Sequence, residues 1–156
     1  HYIKNTPNER IEKILKEDFG VDISDHDKKE ILIDELKERV KTLKEMAIEI
    51  QNIFKAPETY NEKAVKKFLK DKAISNLREF ILFIKDKNPK LPNEWHDLMD
   101  EFLKMKNTKP KFLMLPLRIA LSGDTKGIDL ASFLSVLGKD EVIKRVSKLL
   151  VTFEIF

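Results

Sequence analysis

Five basic side chains carry the most pointed chemistry in this chain. Lys104, Lys106, Lys109, Lys111 and Arg118 fall in one short segment with no acid among them. Such a segment suits an anionic partner, most simply a nucleic-acid backbone, because clustered ammonium and guanidinium groups attract phosphate charge. The plainer alternative is a solvated loop flanked by helix-end lysines. Groups suited to catalysis are scarce. The histidines are His1, His26 and His96, and no two stand at a metal-ligating spacing, so no metal site is expected. Asp97 and Glu101 stand four apart on one helical face, which reads as solvated surface in so charged a chain. A glycine-rich phosphate loop and a nucleophile elbow are both absent from the sequence. No catalytic residue is expected.

The elements that must position these groups are helices. The chain has 156 residues, 42% hydrophobic and 37% charged, with only 4 Gly and 6 Pro. That is a globular composition with too little punctuation for a sandwich of short strands. The net charge is +3, less than the basic segment alone contributes. The absence of cysteine excludes disulfides, thiolate zinc sites and cysteine nucleophiles, and fits a reducing compartment. No apolar run approaches the ~18 residues of a membrane span, and no signal peptide is read at the start. Because the first residue is His1 rather than Met, the chain is expected to be a fragment or a processed product.

Periodicity supplies the element order. Thr6, Pro7 and Glu9 form a helix-start signal with capping-box spacing. Ile11, Ile14 and Leu15 follow, and Gly20 can end the helix in a left-handed turn. A second start lies at Ser24 to Asp27. Leu36, Val40, Leu43, Ala47, Ile50 and Phe54 then make a long stripe on one helix face. Ala56-Pro57 breaks it. Thr59 and Glu62 form a third capping box, ahead of a helix burying Val65 to Ile84. Asn88-Pro89 and Pro92 mark a turn, and Trp95, Leu98, Met99, Phe102 and Leu103 form the next face. A helix over Leu113 to Leu121 ends at Ser122-Gly123. Asp129 caps a helix through Leu137, and Lys139 to Leu150 form the last. Val151 to Phe156 read as either helix or short strand. The expectation is an all-α fold of about eight helices in two small subdomains, residues 1–58 and 59–156.

Four blocks occur in one order: His1-Tyr2-Ile3; Arg39-Val40-Lys41-Thr42-Leu43-Lys44-Glu45-Met46; Pro116-Leu117-Arg118-Ile119-Ala120-Leu121-Ser122-Gly123; and Leu137-Gly138-Lys139-Asp140-Glu141. Together they resemble the C-terminal, anticodon-binding half of bacterial glutamyl-tRNA synthetase. The resemblance covers nearly the whole chain, and the third block is its most specific piece. It implies a helical cage of two subdomains that receives the anticodon of glutamate tRNA. It also implies a catalytic domain before His1, where full-length members ligate glutamate to tRNA with ATP and Mg²⁺. Neither signature of that core is present, and Lys104-Met105-Lys106 lacks the serine of a synthetase lysine loop. No cofactor is therefore expected in this fragment. Its expected setting is the cytoplasm, as a monomer bound to tRNA and not to membrane or metal.

The resemblance also assigns residues. Arg39 matches an arginine that reads the third anticodon base, and Arg118 matches a second anticodon-contacting arginine. A planar fork of donors suits both roles, since it can address base edges, phosphate or a stacked base. The alternatives are a surface arginine paired with Glu35 or Glu38, and a helix arginine bound to a local carboxylate. Leu130 aligns with an apolar residue on which a base stacks, and by periodicity is equally a core residue. The Asp124–Ile128 loop matches a segment whose backbone meets the anticodon, with Gly127 among the contacts. Gly127 and Ile128 replace a threonine–proline-type pair of the family. Lys41, Lys44, Lys109 and Lys111 are read as phosphate contacts, with Thr42 and Leu43 as framework. The rival readings are a helical protein-interaction scaffold without RNA specificity, and a free-standing enzyme.

Overall fold

The structure, a computed structural model, describes residues 3–154; what was expected of His1, Tyr2 and residues 155–156 lies outside them. Among the described residues the chain is helical throughout, without strands. A 3-10 turn, Ile3–Asn5, precedes nine α-helices: α1 (Asn8–Phe19), α2 (Lys29–Lys37), α3 (Leu43–Phe54), α4 (Glu62–Phe68), α5 (Asp71–Ile84), α6 (Pro92–Lys106), α7 (Lys111–Ser122), α8 (Leu130–Leu137) and α9 (Lys139–Glu154). Two compact units result, His1–Lys55 and Ala56–Phe156.

In the first unit α1, α2 and α3 pack on one another around Ile11, Leu15, Leu32, Ile33, Leu36, Met46 and Ile50, each at most 1% exposed. Burying a side chain of this size contributes ~1.5–3 kcal/mol. Gly20 ends α1 in the left-handed region at φ 68°, as its sequence position suggests. The expected starts differ. Thr6 gives α1 no side-chain cap, because Pro7 itself is the capping residue. The Ser24 hydroxyl and backbone N–H both donate to Asp22 Oδ1, at 2.6 and 2.9 Å. Ser24 thus closes a local turn, and α2 starts only at Lys29. The six-residue stripe is also not one helix. The chain leaves helix after Lys37 and re-enters at Leu43, where the Thr42 hydroxyl accepts from the Glu45 N–H at 3.1 Å. Leu36, Ala47 and Ile50 are buried, whereas Phe54 at the stripe's end is 38% exposed.

In the second unit α5 packs on α7 and α9, α6 on α8, and α4 on α7. Trp95, Phe80 and Phe102 are fully buried, and Phe80 meets Phe102 edge-on, centroids 5.3 Å apart. The stretch expected as one helix from Val65 to Ile84 breaks at Leu69-Lys70 into α4 and α5. Its cap is Asn61, whose side chain accepts from the Ala64 N–H at 3.1 Å, rather than Thr59. Asp129 caps α8 as expected, accepting from the Ser132 N–H. The last helix continues through Val151 to Glu154. One charge was not anticipated in the core: Arg145, 1% exposed. Its Nε donates to Glu141 at 2.7 Å and its Nη1 to the Leu121 carbonyl at 2.8 Å. It thereby satisfies one of the carbonyls that the end of α7 leaves without a helical partner.

Candidate nucleic-acid interface

In the first unit, the connection between α2 and α3 carries Arg39 and Lys41, and the first turn of α3 carries Lys44, all exposed. The connection is held by backbone and caps. The N–H groups of Arg39 and Val40 both donate to the Leu36 carbonyl, at 3.0 and 2.9 Å. Glu45 Oε2 accepts from the Lys41 N–H at 3.4 Å, while Thr42 caps the helix. Glu38, one of the two carboxylates the sequence offered as partners for Arg39, is paired with Lys4 at 3.1 Å. A depression of about 230 Å³ beside the guanidinium is lined by Arg39, Val40, Glu45, Ile48 and Glu49. It therefore offers donors, acceptors and an apolar side chain, Ile48, which is 48% exposed. A base edge needs that mixture. Glu45, Ile48 and Glu49 were not singled out from sequence. Their three- and four-residue spacings after Thr42 are the signal that places them on one face.

In the second unit, Arg118 and the loop leading to α8 come together. Arg118 is half-buried on α7, and its Nη1 donates to the Ile128 carbonyl at 2.8 Å. The same Nη1 lies beside Gly127, 3.6 Å from where a Cβ would stand. Arg118, Gly127 and Ile128 thus form one cluster, with Leu130 close behind in sequence at the first position of α8. Leu130 is 5% exposed, which favours the core role for it over an open stacking platform. The loop is tied down at its start: Thr125 N–H donates to Asp124 Oδ1 at 2.7 Å, and Asn61 Nδ2 to Asp124 Oδ2 at 3.3 Å.

The block Pro116 to Gly123 is held by two compensating contacts. Pro116 lies inside α7 and cannot donate to the Phe112 carbonyl four residues back. The Asn76 side chain, buried at 5% exposure, supplies the missing donor at 3.1 Å. Gly123 turns the chain at φ 86°, and a Cβ there would stand 2.7 Å from the Thr59 carbonyl oxygen. Its own carbonyl accepts from the Asn61 N–H at 2.8 Å. Gly123 is therefore required both by conformation and by space.

The basic segment is only partly free charge. Lys104, Lys109 and Lys111 are exposed. Lys106 is paired with Glu79 on α5, and this hydrogen bond holds the Glu79 carboxyl below its usual range. His26 and His96 are likewise engaged locally. His26 Nδ1 accepts from the Lys28 N–H at 3.0 Å, and His96 lies 3.5 Å from Asp100. Among the described residues no group of three or more His, Cys, Asp or Glu could hold a metal. Among them, too, no helix is long and apolar enough to cross a membrane.

Comparison with known proteins decides what this scaffold is. The profile of the anticodon binding domain family matches residues 6–150. The chain belongs to the anticodon-binding domain family. The domain is 45% identical over 150 residues to glutamate–tRNA ligase 2 of Nitratiruptor sp., covering 96% of this chain and 32% of that protein. It is 44% identical to glutamate–tRNA ligase 1 of Sulfurimonas denitrificans, again covering 96% of this chain and 32% of the relative. Among solved structures it resembles the glutamate tRNA ligase of Elizabethkingia meningosepticum, with a TM-score of 0.83 and 28% identity. That match covers 93% of this chain and 29% of the other. The anticodon-binding domain thus spans about a third of the length of the curated relatives it matches.

Proposed function

We propose that this domain receives the anticodon of glutamate tRNA, as the anticodon-binding part of a glutamate–tRNA ligase. The ligation of glutamate to tRNA, with ATP and Mg²⁺, belongs to a catalytic domain outside this chain. The observation that carries the reading is the 45% identity maintained along 96% of the chain. The chemistry is consistent with it. RNA loops are read by unstacking bases and bonding their edges, and Arg39 beside its mixed pocket suits an edge. Arg118 fixes the backbone of the Gly127–Ile128 loop, against which a splayed base rests, with Leu130 as apolar support. Lys41, Lys44, Lys109 and Lys111 attract phosphates. The domain works in the cytoplasm and as a monomer.

The test is a titration of the domain with the anticodon stem-loop of glutamate tRNA and with the same stem carrying an unrelated loop. Tighter binding of the cognate loop is the expected result. Equal binding of both would replace this reading with that of a helical interaction scaffold. Within the same assay, Lys109→Ala with Lys111→Ala weakens binding to both RNAs alike and flattens the salt dependence, by ~0.7 in slope for each single-strand phosphate no longer neutralised. A loss confined to the cognate loop would contradict the assignment of these lysines.

A further inference from the structure

The second unit holds a pocket of about 300 Å³ that shares no lining residue with the cluster of Arg118, Gly127 and Ile128; Lys67, Phe68, Lys70, Lys72, Lys111 and Phe112 line it together with Ala73. It opens where α4 hands over to α5 and where α7 begins. The four lysines are exposed and the two phenylalanines half-buried. No carboxylate is among its lining residues. Lys72 Nζ stands 4.8 Å and Lys111 Nζ 5.3 Å from the centroid of the Phe112 ring, and Lys67 Nζ stands 5.3 Å from that of Phe68. The Phe112 backbone is fixed from behind by the Asn76 hydrogen bond.

We propose that this pocket takes an unstacked nucleotide of the bound tRNA outside the triplet, its base against Phe68 and Phe112 and its flanking phosphates on the four ammonium groups. The inference rests on the tRNA reading above. Aromatic faces accept any base, whereas ammonium groups accept the backbone, and proteins that track single strands combine the two. Charge settles the class of ligand. The larger pocket of the first unit, about 490 Å³, is lined by Asp22 and Asp25 and would repel a phosphate, whereas the charged groups of this one are all cations. The ammonium-on-ring interactions are individually weak at exposed sites, so a base can displace an ammonium and leave it beside the phosphate. Lysines from the end of α4, the turn after it, the start of α5 and the start of α7 suit consecutive phosphates of a strand better than one terminal phosphate.

The deciding experiment measures binding of whole glutamate tRNA to this chain across a salt series. It compares the unaltered chain, the triple variant Lys67→Ala/Lys70→Ala/Lys72→Ala, and Phe112→Leu. The triple variant is expected to lower the salt slope by about 2, at ~0.7 per single-strand phosphate neutralised. Phe112→Leu is expected to weaken binding about tenfold with the slope unchanged, since stacking is not electrostatic. Since the three lysines are exposed, the triple variant keeps its thermal melting point and isolates the charge contribution. Wild-type affinity and slope in the triple variant, with cognate loop preference intact, would overturn the pocket and leave the anticodon reading standing. Displacement of tRNA from the pocket by a mononucleotide at equal concentration would overturn the choice of a strand as occupant. Failure of the unaltered chain to prefer cognate RNA would overturn both.

Discussion

Arg39 and Arg118 carry the same guanidinium in opposite settings. Arg39 stands exposed on a five-residue connection held by local devices: a backbone turn, the Thr42 cap and the Glu45 carboxylate. Arg118 is half-buried, on a helix whose proline is compensated by Asn76 and whose terminal glycine is pressed against Thr59. It holds a loop carbonyl. The difference separates two jobs. An exposed fork can respond to what is placed before it, whereas one spent on its own backbone fixes the shape of a surface. Substitutions around Arg118 should therefore damage the fold, and those around Arg39 should leave the fold and alter recognition.

The largest effect is expected at Gly123. Gly123→Ala places a Cβ 2.7 Å from the Thr59 carbonyl oxygen at a left-handed φ. The conformational cost alone is ~1–2 kcal/mol, and displacement of backbone brings the total to roughly 3 kcal/mol, read from urea unfolding. A midpoint equal to wild type would show that the neighbourhood yields and is not the rigid half of the comparison. Asn76→Ala comes next. It strands the Phe112 carbonyl beneath Pro116 and costs ~1–3 kcal/mol, the range for a buried acceptor left unpaired. Asn76→Ala combined with Pro116→Ala regains part of that loss, because the helix can again donate to Phe112. No recovery would mean that the proline and the asparagine are not coupled. In the Arg39 neighbourhood the expected effect is smaller. Thr42→Ala loses a cap worth ~1 kcal/mol, whereas Thr6→Ala, at a position that caps nothing, stays within about 0.5 kcal/mol of wild type.

That last pair shows what the sequence could and could not disclose. The helical class and the face of α6 were legible, because Trp95, Met99, Phe102 and Leu103 recur at helical spacing and are buried. Gly20 and Gly123 were legible as stops, because positive φ leaves few alternatives. Capping was misread at Thr6, Ser24 and Thr59 and overlooked at Thr42. The same short polar residues serve turns and caps equally well, and which use wins depends on neighbours such as Asp22 or Pro7. The break after Lys37 was hidden because no proline or glycine marks it and the apolar spacing continues across it. At the candidate interface, Arg118 and Gly127 were named only through the family resemblance, and the structure brings them into one cluster with Ile128. The pairing of Lys106 with Glu79 was not legible, since it joins residues 27 positions apart, and periodicity carries no information about which surface charges meet.

The central claim is that Arg39 discriminates and Arg118 scaffolds. The direct measurement is the affinity of unaltered, Arg39→Ala and Arg118→Ala chains for anticodon stem-loops that differ only at the third anticodon base. Arg39→Ala should lose its preference among the loops, at ~1–3 kcal/mol on the cognate base, with unfolding unchanged. Arg118→Ala should weaken all of them by a similar factor and keep the preference. Retention of third-base preference by Arg39→Ala, or its loss in Arg118→Ala alone, would contradict the account.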